Sequence, residues 1–357
     1  MRAVRFHTFG GELELADVPE PELPDHGAVI DVHATGLCRS DWHGWKGHDK
    51  DVTLPHVPGH EFAGVVVAVG PLVRRWHAGE RVTAPFVCGC GTCPSCADGD
   101  QQVCENQTQP GFTHEGSFAE RVVVHHADVN LVRLPAELDM VAAAALGCRF
   151  ATAYRAVAQR GRPMPGDWVA VHGCGGVGLS AIMVAVAAGA RVVAVDVSAA
   201  ALVMAATLGA EVCLDVSHPS EGDLAATAER VGLAVRDATG GGARLSLDAL
   251  GSPATCAGSV HSLRRRGRHV QVGLLPPALG LPPLPMTQVI AQELEILGSH
   301  GMAAHSYPGM LAAVVAGTLR PDQLVTRRIG LDEVPVALAA MSAPPTAAGL
   351  TVATLVG

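Results

Sequence analysis

Four cysteines stand close together, at Cys90, Cys93, Cys96 and Cys104. Thiolates at this spacing can surround one tetrahedral Zn²⁺, and a shell of four sulfurs leaves no position open, which marks a structural site. Cys88 lies nearby, but the regular two-residue spacing selects Cys90. A second chemistry is written in Gly173-Cys174-Gly175-Gly176-Val177-Gly178. The run follows a predicted strand and opens a predicted helix. Gly173 permits a tight turn, Gly175 lets backbone approach a pyrophosphate, and Gly178 lets helix and strand pack closely. The helix N-terminus then faces phosphate charge. A second strand ends in Asp196, at the separation expected of a carboxylate that accepts from ribose hydroxyls. That carboxylate would repel a 2′-phosphate, and no Arg follows in Val197-Ser198-Ala199, so NAD is expected over NADP.

The elements that position these groups fall into two regimes. Of thirteen Phe, Trp and Tyr residues, only Tyr307 lies beyond Trp168, which marks a boundary near residue 150. Before it, short β-rich runs such as Ala28–His33, Phe62–Val69 and Ala119–Val124 alternate with turn residues, as in an irregular, mostly β domain. After it, apolar strands alternate with Ala-rich helical stretches. The strands are read at Trp168–His172, Arg191–Val195, Glu211–Leu214, Leu245–Asp248 and His269–Val272, the pattern of a parallel, doubly wound sheet. Glu295–Ser299 is a further strand that closes the sheet or pairs with a neighbouring subunit. The tail reads as a helix at Pro308–Ala316, a strand near Val325–Ile329, a helix at Val334–Met341 and a last strand. Pro276–Pro285 reads as a linker or surface loop.

With 357 residues, 48% hydrophobic and 17% charged, the chain has a globular balance. A net charge of −9 argues against nucleic acid or an acidic membrane as partner. The basic run Arg264-Arg265-Arg266-Gly267-Arg268 is expected to be a solvated helix end before a strand. Val169–Val197 is apolar, but glycines, His172, Arg191 and Asp196 interrupt it, so no membrane span is expected. The first residues, Met1–His7, carry no apolar core of a secretory signal. A soluble, cytoplasmic protein is expected, in which ten cysteines serve as metal ligands and reduced thiols.

Cys38-Arg39-Ser40-Asp41-Trp42-His43, Pro58-Gly59-His60-Glu61 and Cys148 add a thiolate, imidazoles, carboxylates and a second thiolate. In this order, with the cysteine lobe and the glycine loop, the chain resembles the zinc-dependent alcohol dehydrogenases of the medium-chain dehydrogenase/reductase superfamily. The resemblance covers nearly the whole chain and includes Gln271-Val272-Gly273-Leu274 and Glu295-Ile296-Leu297-Gly298-Ser299. It implies an α/β chain with a GroES-like, mostly β catalytic domain over 1–150, completed by about 291–357. A Rossmann, doubly wound parallel-sheet NAD domain then spans 151–290.

The resemblance also assigns roles. It makes Cys38, His60 and Cys148 the ligands of a catalytic zinc, beside the structural zinc of the lobe. Glu61 matches a carboxylate that can approach that zinc, and Asp41 one that hydrogen-bonds the His60 imidazole. Ser40 and His43 match a relay that takes the alcohol proton through a nicotinamide-ribose hydroxyl to solvent. Phe86 matches a substrate-pocket position, with Trp42 and Trp45 as candidates for the same wall. Thr152, Val272 and Gly273 join the cofactor side. The implied activity is reversible hydride transfer between a small-molecule alcohol and NAD⁺, in a homodimer or homotetramer. A polyol or amino-alcohol substrate stays open. A zinc-free reductase of the superfamily is disfavoured by the complete zinc set, and a non-catalytic dinucleotide-binding protein by the presence of both Ser40 and His43.

Overall fold

The computed structural model describes residues 1–217, 223–344 and 347–355. These divide into two units. The first comprises Met1–Ala151 with the described residues of Gly301–Pro345 and Leu350–Gly357; the second comprises the described residues of Thr152–His300 and Thr346–Gly349.

In the first unit, β1 (Arg2–Arg5) and β2 (Glu14–Asp17) form an antiparallel pair. The main sheet is built from β3 (Ala28–Leu37), β4 (Glu61–Val69), β5 (Arg81–Thr83), β6 (Arg121–Val124), β7 (Val132–Arg133), β14 (Val325–Gly330) and β15 (Leu350–Thr354). Its order is β14-β15-β3-β4-β5-β7, with β6 also on β3, and only β14 and β15 run parallel. Two late strands thus join five early ones in one sheet. β3 alternates little between buried and exposed residues, because both its faces are covered. It pairs with β4 through two register shifts, and Gly36 ends opposite Glu61. Phe6, Phe62 and Phe118 are fully buried in the two apolar clusters on this sheet. Each such burial contributes on the order of 2–3 kcal/mol.

The second unit holds β8 (Trp168–His172), β9 (Arg191–Asp196), β10 (Val212–Asp215), β11 (Ala243–Asp248), β12 (Leu263–Gln271) and β13 (Glu295–Gly298). They are all parallel, in the order β10-β9-β8-β11-β12-β13. Helices Gly176–Ala187, Ala199–Thr207, Leu224–Ala238 and Pro253–His261 connect them. The strand order reverses between β8 and β11. In a doubly wound sheet that reversal opens a crevice at the carboxyl ends of the strands, where dinucleotides bind.

Two expectations need correction. The basic run is no helix end. Arg264–Arg268 lies inside β12, where the register with β11 slips between Ala243 and Leu245 and Arg266 turns left-handed at φ +56°. The slip absorbs the extra residues, leaving Arg264 exposed against Asp167 and Arg268 largely buried against Glu295 and the Arg160 carbonyl. The segment 291–300, expected with the tail, belongs to the second unit, because β13 pairs in parallel with β12. Pro276–Pro285 is irregular apart from one short turn at Pro277–Leu279. Among the described residues no helix is long and apolar enough to cross a membrane.

Candidate active site and metal centres

Three chain segments converge in the first unit. β3 runs directly into the helix Arg39–Trp45, and Cys38 is the N-cap of that helix. His60 immediately precedes β4. Cys148 sits in a π-helical turn, Leu146–Phe150, of the wide-turn type that often marks functional positions. Single donor atoms of Cys38, His60, Glu61 and Cys148 all lie within 4.8 Å of one another. Cys38, His60 and Glu61 are buried and Cys148 is nearly so.

Asp41 orders this cluster. The carboxylate is buried and accepts from the Cys38 N–H (2.9 Å), the Gly59 N–H (3.1 Å) and the His60 Nδ1–H (2.7 Å). Asp41 therefore keeps a proton on Nδ1 and leaves Nε2 as the nitrogen free to meet a metal. Among the described residues, that Nε2 is buried without a hydrogen-bond partner. An unpartnered imidazole nitrogen beside two thiols is a donor set that suits zinc, whose catalytic sites take three protein ligands and leave one position open. The thiols already share their protons unequally. The bond from Cys148, acting against burial, holds Cys38 well below the usual thiol range, while Cys148 is pushed up. Burial lowers the His60 pKa, but Asp41 and Cys38 outweigh it and raise the imidazole overall.

Glu61 is fixed from the other side. Arg149 donates its backbone N–H to Oε1 (2.9 Å) and its Nε–H to both oxygens (3.0 Å each), and its Nη2 is ion-paired with Oε2. Gly36 leaves the room for this, since a Cβ there would lie 2.5 Å from Glu61 Oε2. Burial raises the Glu61 pKa, partly offset by Arg149.

Around the cluster, Phe112 and Phe86 present edges to the His60 ring at 5.3 and 6.2 Å. Ser40 Oγ lies 3.7 Å from Cys38 Sγ, a long contact in which its hydroxyl can donate to the thiolate. His43 is half-buried and bonded to His48. Trp42 is partly exposed beneath the Arg39 guanidinium. Trp45, expected in the pocket wall, is instead a core residue. It is 5% exposed in an apolar cluster, and its indole N–H donates to Gly11 O, which satisfies its one polar atom.

The four lobe cysteines are all buried, with sulfurs within 4.8 Å of one another. Backbone N–H groups aim at the sulfurs: Cys90 and Asn106 at Cys104, and Thr92 at Cys90. The Thr92 hydroxyl and N–H bring Cys90 down to about 5. Such donors favour thiolates, the form in which cysteine binds metal, while burial still pushes Cys96 up to about 12 and Cys104 above the usual thiol range. Cys88 stays outside this set. It is buried, bonds to Pro85 O, and is pushed up to about 12 by desolvation.

In the second unit, Gly173 adopts φ +90°, and a Cβ on Gly178 would lie 1.8 Å from Gly173 O. The space beside Gly175 is open, with nothing within 4 Å of a built Cβ, so the exposed backbone there suits a pyrophosphate. Gly176 and Val177 open the following helix. Asp196 ends β9 and accepts from the Cys174 N–H (2.5 Å) and the Ser198 N–H (2.8 Å). Val272 and Gly273 follow β12, both bonded to Asp248 O. Thr152 Oγ1 is buried without a hydrogen-bond partner.

The chain matches the alcohol dehydrogenase GroES-like domain over residues 24–136 and the zinc-binding dehydrogenase domain over 176–316. It is 33% identical to an alcohol dehydrogenase of Geobacillus stearothermophilus over 302 residues, 84% of each chain. The chain belongs to the zinc-dependent alcohol dehydrogenase family. Among solved structures, alcohol dehydrogenase TADH from Thermus sp. ATN1 superposes with a TM-score of 0.87 at 32% identity, covering 100% of both chains. A zinc-binding dehydrogenase of Sinorhizobium meliloti 1021 bound to NADP gives 0.83 at 28% identity, covering 99% of this chain and 98% of the other. As a member of this family the chain is an oxidoreductase of the alcohol dehydrogenase type.

Two functional neighbours escaped the sequence reading. Arg149 is adjacent to Cys148, yet its pairing with Glu61 spans 88 positions. Phe112 reaches the His60 ring from a loop after the lobe. Neither carries a local signal.

Proposed function

We propose that this alcohol dehydrogenase oxidises primary, secondary or aromatic alcohols to aldehydes or ketones, reversibly, with NAD as hydride acceptor. One zinc is held by Cys38, His60 and Cys148 and a structural zinc by Cys90, Cys93, Cys96 and Cys104. The observation that carries this reading is the buried, partnerless His60 Nε2 beside two thiols, with the opposite nitrogen fixed by Asp41. When bound, zinc supplies Lewis acidity toward a substrate oxygen and the nicotinamide accepts hydride. Asp41 orients the imidazole, and Arg149 keeps both Glu61 oxygens engaged. Ser40 would take the hydroxyl proton as it releases its own, and His43 would receive the relayed proton and pass it outward to solvent. Phe86 and Trp42 supply apolar surface toward the alcohol.

Gly173, Gly175, Gly176, Val177 and Gly178 cradle the pyrophosphate, with Thr152, Val272 and Gly273 toward the nicotinamide. Asp196 accepts from the adenosine ribose and its charge disfavours a 2′-phosphate. The outer edge of β13, where Ile296 is exposed, supports association of copies into a dimer or tetramer.

The test is metal analysis with a panel of alcohols and NAD⁺, read at the NADH absorbance. One zinc per donor set is expected, with turnover lost in Cys38→Ser and His60→Ala while the circular dichroism spectrum persists. Full activity in metal-free folded protein would overturn the zinc assignment. Equal kcat/KM with NADP⁺ would overturn the cofactor assignment.

A further inference from the structure

The helix Arg39–Trp45 ends in a turn that brings two imidazoles together. Gly47 adopts φ +76°. Its N–H donates to Gly44 O, and the His48 N–H donates to His43 O, each at 3.0 Å. These two bonds form a Schellman closure, which lays the residue after the left-handed glycine against the third residue from the helix end. Gly47 is suited to the turn twice over: its φ costs glycine little, and a Cβ there would lie 2.8 Å from Phe9 Cγ. The closure places His43 Nδ1 and His48 Nδ1 2.8 Å apart. Trp42 stands edge-on to both rings, at 4.9 and 5.6 Å, and is itself anchored by its indole N–H to Ser342 Oγ. His43 is half-buried and His48 is exposed.

One hydrogen occupies the space between two ring nitrogens at this distance, so one imidazole donates and the other accepts. We propose that His48 is the outer member of the proton relay, taking the alcohol proton from His43 and releasing it to water. This rests on the reading of Ser40 and His43 as the inner relay. In alcohol oxidation the incoming proton bonds to His43 Nε2. The His43 Nδ1–H bond breaks, and that proton bonds to His48 Nδ1. His48 then loses its Nε2 proton to water, each ring ends neutral in its other tautomer, and proton exchange with water returns both to the starting tautomers before the next turnover. Carbonyl reduction runs the same transfers in reverse.

The charged and titratable groups acting on His43 are His48, Arg39 and Cys38; Trp42 and Ser342 beside them are neutral. Burial first, then the positive charges of His48 and Arg39, hold His43 below its ordinary pKa. A proton therefore passes through His43 and does not stay there.

The test is His48→Gln, an exposed change that keeps a hydrogen-bonding side chain but cannot titrate. With NAD⁺ and the fastest alcohol of the panel, kcat is expected to fall about tenfold near pH 6 and to recover toward wild type near pH 9, where hydroxide replaces the lost base. KM for the alcohol stays unchanged, and added imidazole restores the low-pH rate. His7→Gln, at an exposed histidine paired with Glu14, is the control and shows none of this. Independently of turnover, imidazole NMR is expected to show the His43 titration moving up in His48→Gln, because a neighbouring positive charge is gone. An unchanged pH profile together with an unmoved His43 titration overturns the proposal. Absence of any wild-type alcohol oxidation overturns the function reading instead, and the relay with it. Wild-type turnover matched by His48→Gln across the pH range sinks the His48 step alone.

Discussion

Asp41→Asn isolates the group that orients the metal-binding imidazole. The wild-type carboxylate gathers three N–H donors: His60 Nδ1 and Gly59 on Oδ1, and Cys38 on Oδ2. An amide of the same shape has one oxygen. If that oxygen keeps His60 and Gly59, the new NH₂ faces the Cys38 N–H, and an accepting contact becomes donor against donor. A hydrogen bond to a charged group contributes about 1.5–3 kcal/mol. A loss of about 2 kcal/mol expressed in metal binding is roughly 30-fold in Kd. That falls within the 10–100-fold typical of groups that support metal ligands. The assay is competition for zinc against a chromophoric chelator in the folded protein. The cost is expected to shrink in a His60→Ala background, where the amide no longer has to keep its oxygen on the imidazole and can turn it to the Cys38 N–H. If Asp41→Asn lowers unfolding stability but leaves zinc affinity within twofold of wild type, Asp41 is a turn cap and the orientation argument fails.

Three further outcomes follow from the same geometry. Arg149→Met leaves the Glu61 carboxylate buried and unpaired, so urea unfolding should show a loss of about 3–5 kcal/mol, partly recovered in Glu61→Gln/Arg149→Met. Cys96→Ser should release the lobe zinc and lower Tm, while kcat per folded molecule and the zinc bound at Cys38, His60 and Cys148 persist. His172 donates from Nε2 to Ser262 Oγ, since Ser262 itself donates to Gly258 O, and burial lowers its pKa from 6.5 to about 3. Between those values the unfolded chain binds a proton that the folded one refuses. Stability should therefore fall with falling pH by up to about 1.4 kcal/mol per unit, and His172→Gln should flatten that slope in chemical-denaturation series.

Much of the second unit was legible because its signals are local. The glycine run, the apolar strands and the carboxylate ending β9 each follow from residues near one another in sequence. β12 began earlier than its apolar stretch because a register slip lets four arginines sit in a strand, and periodicity carries no sign of such a slip. The four lobe cysteines lie within fifteen positions and announce a metal by spacing alone. The Cys38, His60 and Cys148 set is spread over more than a hundred positions, and a resemblance rather than spacing joined it. Trp45 looked like pocket wall beside Trp42, but helix geometry turned it toward the core.

By itself the sequence determined which chemistries were available: soft thiolates, an imidazole with a carboxylate in reach, and a glycine turn for phosphate. Those depend on residue type and short spacing, which the chain carries without folding. The tertiary structure decided which groups share an environment. It tied Glu61 to Arg149 across 88 positions, gave Asp41 three donors, and left His60 Nε2 buried with no partner. The reason is physical: a charge or lone pair acquires its energy from what surrounds it once water is removed, and only packing fixes those surroundings.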